Sequence, residues 1–249
     1  MLRRLHLIEL FVALLCFGLT PFSKAGSDPL RVFIRAGRKT HGPGQHDHPR
    51  FLREWKALLN ERGLRADGGT NFPSALQLEN TDVLLIYAAD GATIQGSDRA
   101  NLEKFLQRGG GLIVLHDAIV GNDPQWFKTI VGGAWENGHA KWYEGEVAEN
   151  FVDNQHPITR GMPNFEWKDE IYYQLHMMPD AHALATSSHD NSVIAAQMWV
   201  YEKTLAGSAK PYRAFCFDSR SRIHVIRQAA VQGNPDARNR LGRLAGERR

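Results

Sequence analysis

Gly109-Gly110-Gly111-Leu112-Ile113-Val114-Leu115-His116-Asp117 decides the fold. Three glycines end a helix, four apolar residues form a strand buried on both faces, and two polar residues follow without a spacer. The pattern repeats upstream. Thr81-Asp82 precedes Val83-Leu84-Leu85-Ile86-Tyr87, a second uninterrupted apolar run. Between the two lies a helix over 97–108, with Leu102, Phe105 and Leu106 on one face. Further upstream, Arg31-Val32-Phe33-Ile34-Arg35 is a strand stopping at Ala36-Gly37. A helix over 50–62 then carries Phe51, Leu52, Trp55, Leu58 and Leu59 and closes at Gly63. Buried strands alternating with amphipathic helices predict an α/β three-layer sandwich with a mostly parallel central sheet. No linker or repeat divides residues 26–215, and 249 residues suit one large domain.

The composition is near the globular average, which excludes a collagen, a disulfide scaffold and a wholly disordered chain. The formal charge of +3 belongs to the ends: residues 1–25 carry +2 and residues 216–249 carry +5, leaving −4 for the domain. A nucleic-acid partner is disfavoured on that ground. Both cysteines, Cys16 and Cys216, also lie outside residues 26–215, so the middle holds no cysteine nucleophile or Cys-based zinc site. Residues 1–25 read as an export signal: Arg3 and Arg4, an apolar stretch from Leu7 to Leu19, then Ser23-Lys24-Ala25 as a cleavage site. The expectation is an exported protein, periplasmic or extracellular, with no stable membrane span after cleavage. Residues 216–249 read as an atypical basic tail.

In an open parallel sheet, ligands bind beyond the carboxyl ends of the strands near the switch in strand order. That rule nominates the loop after the first strand, the segment after Ile86, and His116-Asp117. The loop Thr40-His41-Gly42-Pro43-Gly44-Gln45-His46-Asp47-His48 puts three imidazoles and a carboxylate within eight residues. Such a loop either ligates a divalent metal or bonds substrate hydroxyls, and its H-x4-H-x-H spacing matches no compact structural zinc motif. His116, at a strand end, is placed to act as acid, base or ligand near neutral pH. Asp169-Glu170 before Ile171-Tyr172-Tyr173 sets carboxylates beside aromatics, a combination suited to sugars; Trp135, Trp142, Tyr143, Trp167 and Trp199 are further candidates for that surface. No P-loop, G-x-G-x-x-G, G-x-S-x-G or H-E-x-x-H motif occurs.

Four segments then occur in a telling order: Ala36-Gly37-Arg38-Lys39-Thr40-His41-Gly42-Pro43-Gly44-Gln45-His46; Gly109 to His116; His156-Pro157-Ile158-Thr159-Arg160-Gly161; and Asp169-Glu170-Ile171-Tyr172-Tyr173. Together they resemble the ThuA-like, or trehalose utilisation, family over residues 29–215. The resemblance implies a flavodoxin-like fold related to class I glutamine amidotransferases. It places His116 where those relatives carry a catalytic cysteine, so a glutaminase reaction is not expected. It further implies a role in carbohydrate metabolism, on disaccharides or their keto derivatives.

The chain departs from the family after Phe215, where a Gly-His-x-Tyr turn and a closing helix ending near Gly-Ile-Ala-Trp-Ala are usual. An inserted nucleotide near codon 216 accounts for this. In the shifted frame, permitted codons for residues 216–224 give Val-Ser-Ile-Pro-Gly-His-Glu-Tyr, and residues 237–242 give Arg-Gly-Ile-Ala-Trp. The expectation is a lost terminal strand and helix, with reduced stability and activity.

Two functions are consistent with these residues. One is an exported sugar-active hydrolase or isomerase with His116 and Glu170 as catalytic groups. In it His41, His46, His48, Asp117 and Tyr172 contact a small-molecule carbohydrate, and a divalent metal is an open option. The other is a non-catalytic carbohydrate-binding module. Homo-oligomerisation is left open.

Overall fold

The computed structural model describes residues 28–43, 45–189 and 193–219. The expected export signal at 1–25 and residues 220–249 of the C-terminal segment lie outside the described residues. The first half alternates strands and helices: β1 Arg31–Ala36, α1 His48–Glu61, β2 Arg65–Gly69, α2 Ala75–Glu79, β3 Val83–Tyr87, α3 Gly96–Gln107 and β4 Gly111–Leu115. A 3-10 turn, His116–Ile119, and α4, Pro124–Val131, follow. The second half is almost all strand: β5 Gly133–Ala134, β6 Lys141–Phe151, β7 Phe165–Tyr173, β8 His176–Met177, β9 His182–His189, β10 Val193–Lys203 and β11 Tyr212–Phe217. Nine strands form one sheet in the order β2-β1-β3-β4-β11-β10-β9-β6-β7, and β5 pairs with β8 separately.

The half from β2 to β11 is parallel, and the half from β11 to β7 is antiparallel. Sequence periodicity shows only the parallel half, because β3 and β4 are apolar at every position while β6 and β7 are short of apolar residues on their outer faces. Helices cover both faces of the parallel half. On one face Phe51, Trp55, Leu58 and Leu59 of α1 meet Ile34, Leu85, Ile113 and Phe215. On the other, Leu102, Phe105 and Leu106 of α3, with Phe127 and Ile130 of α4, meet Leu84, Ile86, Val114 and Cys216. Each such fully buried aliphatic side chain contributes about 1.5–3 kcal/mol.

β11 corrects the expected boundary at residue 215. Cys216 and Phe217 complete this strand, both buried, between β4 on one side and β10 on the other. The apolar run Phe215-Cys216-Phe217 fills a central position of the sheet that no polar tail would occupy.

The order of strands reverses at β1, with β2 on one side and β3 on the other. There the chain needs a close approach. A Cβ on Gly37 would sit 2.9 Å from the Cα of Ala88, and its N–H donates to the Tyr87 carbonyl at 2.9 Å. Glycine lets the loop after β1 lie directly against the end of β3. The end of β7 is drawn to the same region. Gln197 of β10 donates to the Tyr172 carbonyl at 3.0 Å, and the Tyr172 N–H donates to Asp218 at 3.0 Å. Among the described residues, no helix is long and apolar enough to cross a membrane.

Candidate metal centre

Three chain segments far apart in sequence meet beyond the carboxyl ends of β1 and β4. His46 comes from the loop after β1, His116 from the first residue after β4, and Glu170 from β7. All three are buried, at 4%, 0% and 9% exposure. The Nε2 atoms of His46 and His116 lie 3.7 and 3.6 Å from the same Glu170 oxygen. Each residue offers one ligand atom within 4.8 Å of the others.

What stands behind each imidazole is as informative. His46 Nδ1 is 2.7 Å from Asp117, and His116 Nδ1 is 3.2 Å from Asp218. A carboxylate accepting from Nδ1–H fixes the ring and aims Nε2 at the centre, the arrangement usual behind metal-bound histidine. His116 Nε2 is buried with no hydrogen-bond partner. A buried nitrogen in that state is costly unless something coordinates it. Metal–ligand bonds near 2.0–2.1 Å put neighbouring ligand atoms of a tetrahedral site roughly 3.3–3.4 Å apart, so spacings of 3.6 and 3.7 Å suit an ion with little adjustment.

His46, His48 and Asp117 also cluster, but their contacts of 2.7 and 3.0 Å are hydrogen-bond distances and leave no room for an ion. His48 is fully buried, with Nδ1 on the Arg38 carbonyl at 2.7 Å and Nε2 on Asp117. It therefore stands behind the centre, and so does Asp117 at 4% exposure. The sequence expectation that both face substrate finds no open surface on either.

The backbone around these groups is unusual. Among described residues other than glycine, five have positive φ, and His41, His46 and His116 are three of them, at 61°, 43° and 47°. Such conformations cost of order 1–3 kcal/mol each and concentrate at functional sites. His116 takes its position at the sharp strand-end turn where α/β enzymes present reactive side chains.

The charges explain the protonation. Burial alone would lower the His116 pKa, but the nearby Asp218 and Glu170 carboxylates outweigh it and hold the ring up at about 10, so an ion binding at Nε2 would displace a proton. Burial disfavours the Asp117 carboxylate, yet contacts with His46 and His48 keep it well below the usual carboxylate range. The Tyr172 phenol is pushed far up by burial and by the acids around it, so it stays protonated. Its ring stacks on His116 at 4.6 Å. His41 is exposed and lies over His46 with centroids 4.1 Å apart; burial and the neighbouring His46 lower its pKa, leaving it neutral at pH 7.

Asp218 is the site residue that sequence reading assigned to the tail. The signal was available: Phe215-Cys216-Phe217 followed by Asp218 repeats the pattern of Leu112 to Leu115 followed by His116.

The fold and this convergence at the strand ends define an α/β sandwich protein with a histidine at the strand-end turn. The ThuA family profile, described as trehalose utilisation, matches residues 38–218, and the chain belongs to that family. A carbohydrate-related role in general follows from the membership. A ThuA-like protein from Bacteroides uniformis is similar in structure, with a TM-score of 0.59 and 17% identity, over 86% of this chain and 93% of that one. A second, from Parabacteroides merdae, has a TM-score of 0.58 and 16% identity, over 76% of this chain and 79% of that one. Part of a β-galactosidase from Rahnella shares the fold with a TM-score of 0.52 and 16% identity, covering 82% of this chain and 31% of the enzyme. No curated protein matches the chain.

Proposed function

We propose that this chain is an exported, metal-dependent enzyme acting on a sugar, a disaccharide or its keto derivative, by a hydrolase- or isomerase-type reaction. One observation carries the reading: two imidazole Nε2 atoms converge on one Glu170 oxygen, each ring backed by a buried carboxylate. His46, His116 and Glu170 would hold the ion. A divalent ion held in this way polarises a carbonyl or hydroxyl oxygen, or lowers the pKa of a bound water.

The protein's own groups do the rest. Asp117 and Asp218 keep each ring in the tautomer that presents Nε2. Tyr172 walls one side of His116 and, being protonated, adds no negative charge of its own there. His41, exposed and neutral at the rim, accepts a proton from a substrate hydroxyl arriving from solvent. The export signal supports action outside the cytoplasm.

Assays of trehalose, sucrose and their 3-keto forms, run with chelator and again with added zinc or manganese, test this. Turnover that chelator abolishes and metal restores is expected. Saturable sugar binding with no turnover in any metal would instead make the chain a binding module.

A further inference from the structure

All six tryptophans fall among the described residues, and Trp142 alone is exposed, at 60%. It sits on β6 directly opposite Tyr172 of β7, and Glu144 sits opposite Glu170. Residues directly opposite in an antiparallel pair share a face and have Cβ atoms about 4.5–5.5 Å apart. Trp142 and Glu144 therefore lie on the face of the sheet that carries Glu170 and Tyr172. The Tyr172 ring is in turn 4.6 Å from that of His116 and 4.7 Å from that of Trp135. One strand spacing plus one ring stack puts Trp142 roughly 10 Å from the histidine centre.

Packing does not account for this side chain. A tryptophan left in water exposes a large apolar face that a strand position could replace with any polar residue. Its place beside the centre, with exposed Glu144 two residues along the same face, is what a pyranose ring needs. The indole stacks on the apolar C–H face of the sugar, and a carboxylate accepts from its equatorial hydroxyls.

We infer that Trp142 is the stacking platform of a second sugar subsite, so the ligand is a glycoside of at least two rings, one at the histidine centre and one on Trp142. This rests on the carbohydrate reading above and adds to it the residue that selects a two-ring ligand over a single sugar. A single sugar reaches the centre or the platform but not both.

The test compares trehalose with glucose by calorimetric titration of the full chain, with metal content measured on the same samples. The wild type is expected to bind trehalose at least tenfold more tightly than glucose. Trp142→Ala should weaken trehalose binding about tenfold and erase that preference, with unchanged metal content and an unchanged melt, while Trp142→Phe keeps most of the preference. Trehalose binding by Trp142→Ala equal to wild type overturns the platform. A wild type without preference for the disaccharide overturns it as well. Metal content separates this from the proposed function: a metal-free wild type that still loses trehalose binding in Trp142→Ala keeps the platform and removes the metal enzyme.

Discussion

Replacing His116 with alanine is expected to lower divalent-metal affinity at least a hundredfold and to remove turnover to the same extent. The ring would supply one of three ligand atoms, and its partners cannot substitute: Asp218 lies behind the ring on the Nδ1 side and accepts from the Tyr172 N–H. Loss of a positioned acid, base or ligand typically costs 10²–10⁴-fold in rate. Stability should fall too, because two buried carboxyls lose a cationic partner. Breaking a buried pair costs about 3–5 kcal/mol when the remaining charge is stranded. Asp218 escapes part of that: burial already pushes it up to about 7, so without His116 it takes a proton instead of keeping an unpaired charge. The loss should therefore be about 2 kcal/mol, read from urea melts, and His116→Gln, which keeps the bulk, should recover most of the stability but not the metal. Retained metal binding in both variants would remove His116 from the centre.

The second large effect concerns Glu149, which the reaction does not use. It is fully buried on β6, accepts a bond from the Ser187 hydroxyl, and its other oxygen has no partner. Burial pushes its pKa from 4.5 to about 8, with Asp169 and Asp218 adding to the rise and Ser187 opposing it. The folded protein thus holds a proton that the unfolded chain releases above about pH 4.5. The carboxyl's contribution is fully present below that value and is lost as pH rises through about 8. The slope approaches ~1.4 kcal/mol per pH unit inside the window, so roughly 2–3 kcal/mol should vanish between pH 5.5 and 7.5. Glu149→Gln keeps an acceptor for Ser187 and has no proton to lose. The stability difference between variant and wild type should grow in the variant's favour across that range. Urea midpoints that shift with pH identically in both proteins would contradict this.

The parallel half of the fold was legible because strands buried on both faces leave uninterrupted apolar runs, and Val83–Tyr87 and Gly111–Leu115 are such runs. The antiparallel half was not. β6 reads Lys-Trp-Tyr-Glu-Gly-Glu-Val-Ala-Glu-Asn-Phe, whose alternation is broken by the demands of the site on one face and of the core on the other. His116 and Glu170 were singled out by position and chemistry, and the structure brings them to within 3.6 Å of each other. The sequence reading already set the His46 loop around one pocket with them; which atoms meet was not legible, since that depends on the far end of the sheet bringing β7 to the end of β4. His48 and Asp117 illustrate the reverse problem. Polar residues in a loop read as ligand contacts, whereas here they are the buried supports of one. Asp218 was hidden by composition, because the eight arginines of residues 216–249 make the whole stretch look like a solvated tail.

Metal stoichiometry of the intact protein tests the central claim most directly. The full chain, purified without chelator, is loaded with zinc, dialysed and analysed by elemental mass spectrometry beside His46→Ala and Glu170→Gln. One ion per chain in the wild type and none in either variant is the predicted result. A wild type that retains no ion, or variants that retain as much as the wild type, would contradict the account.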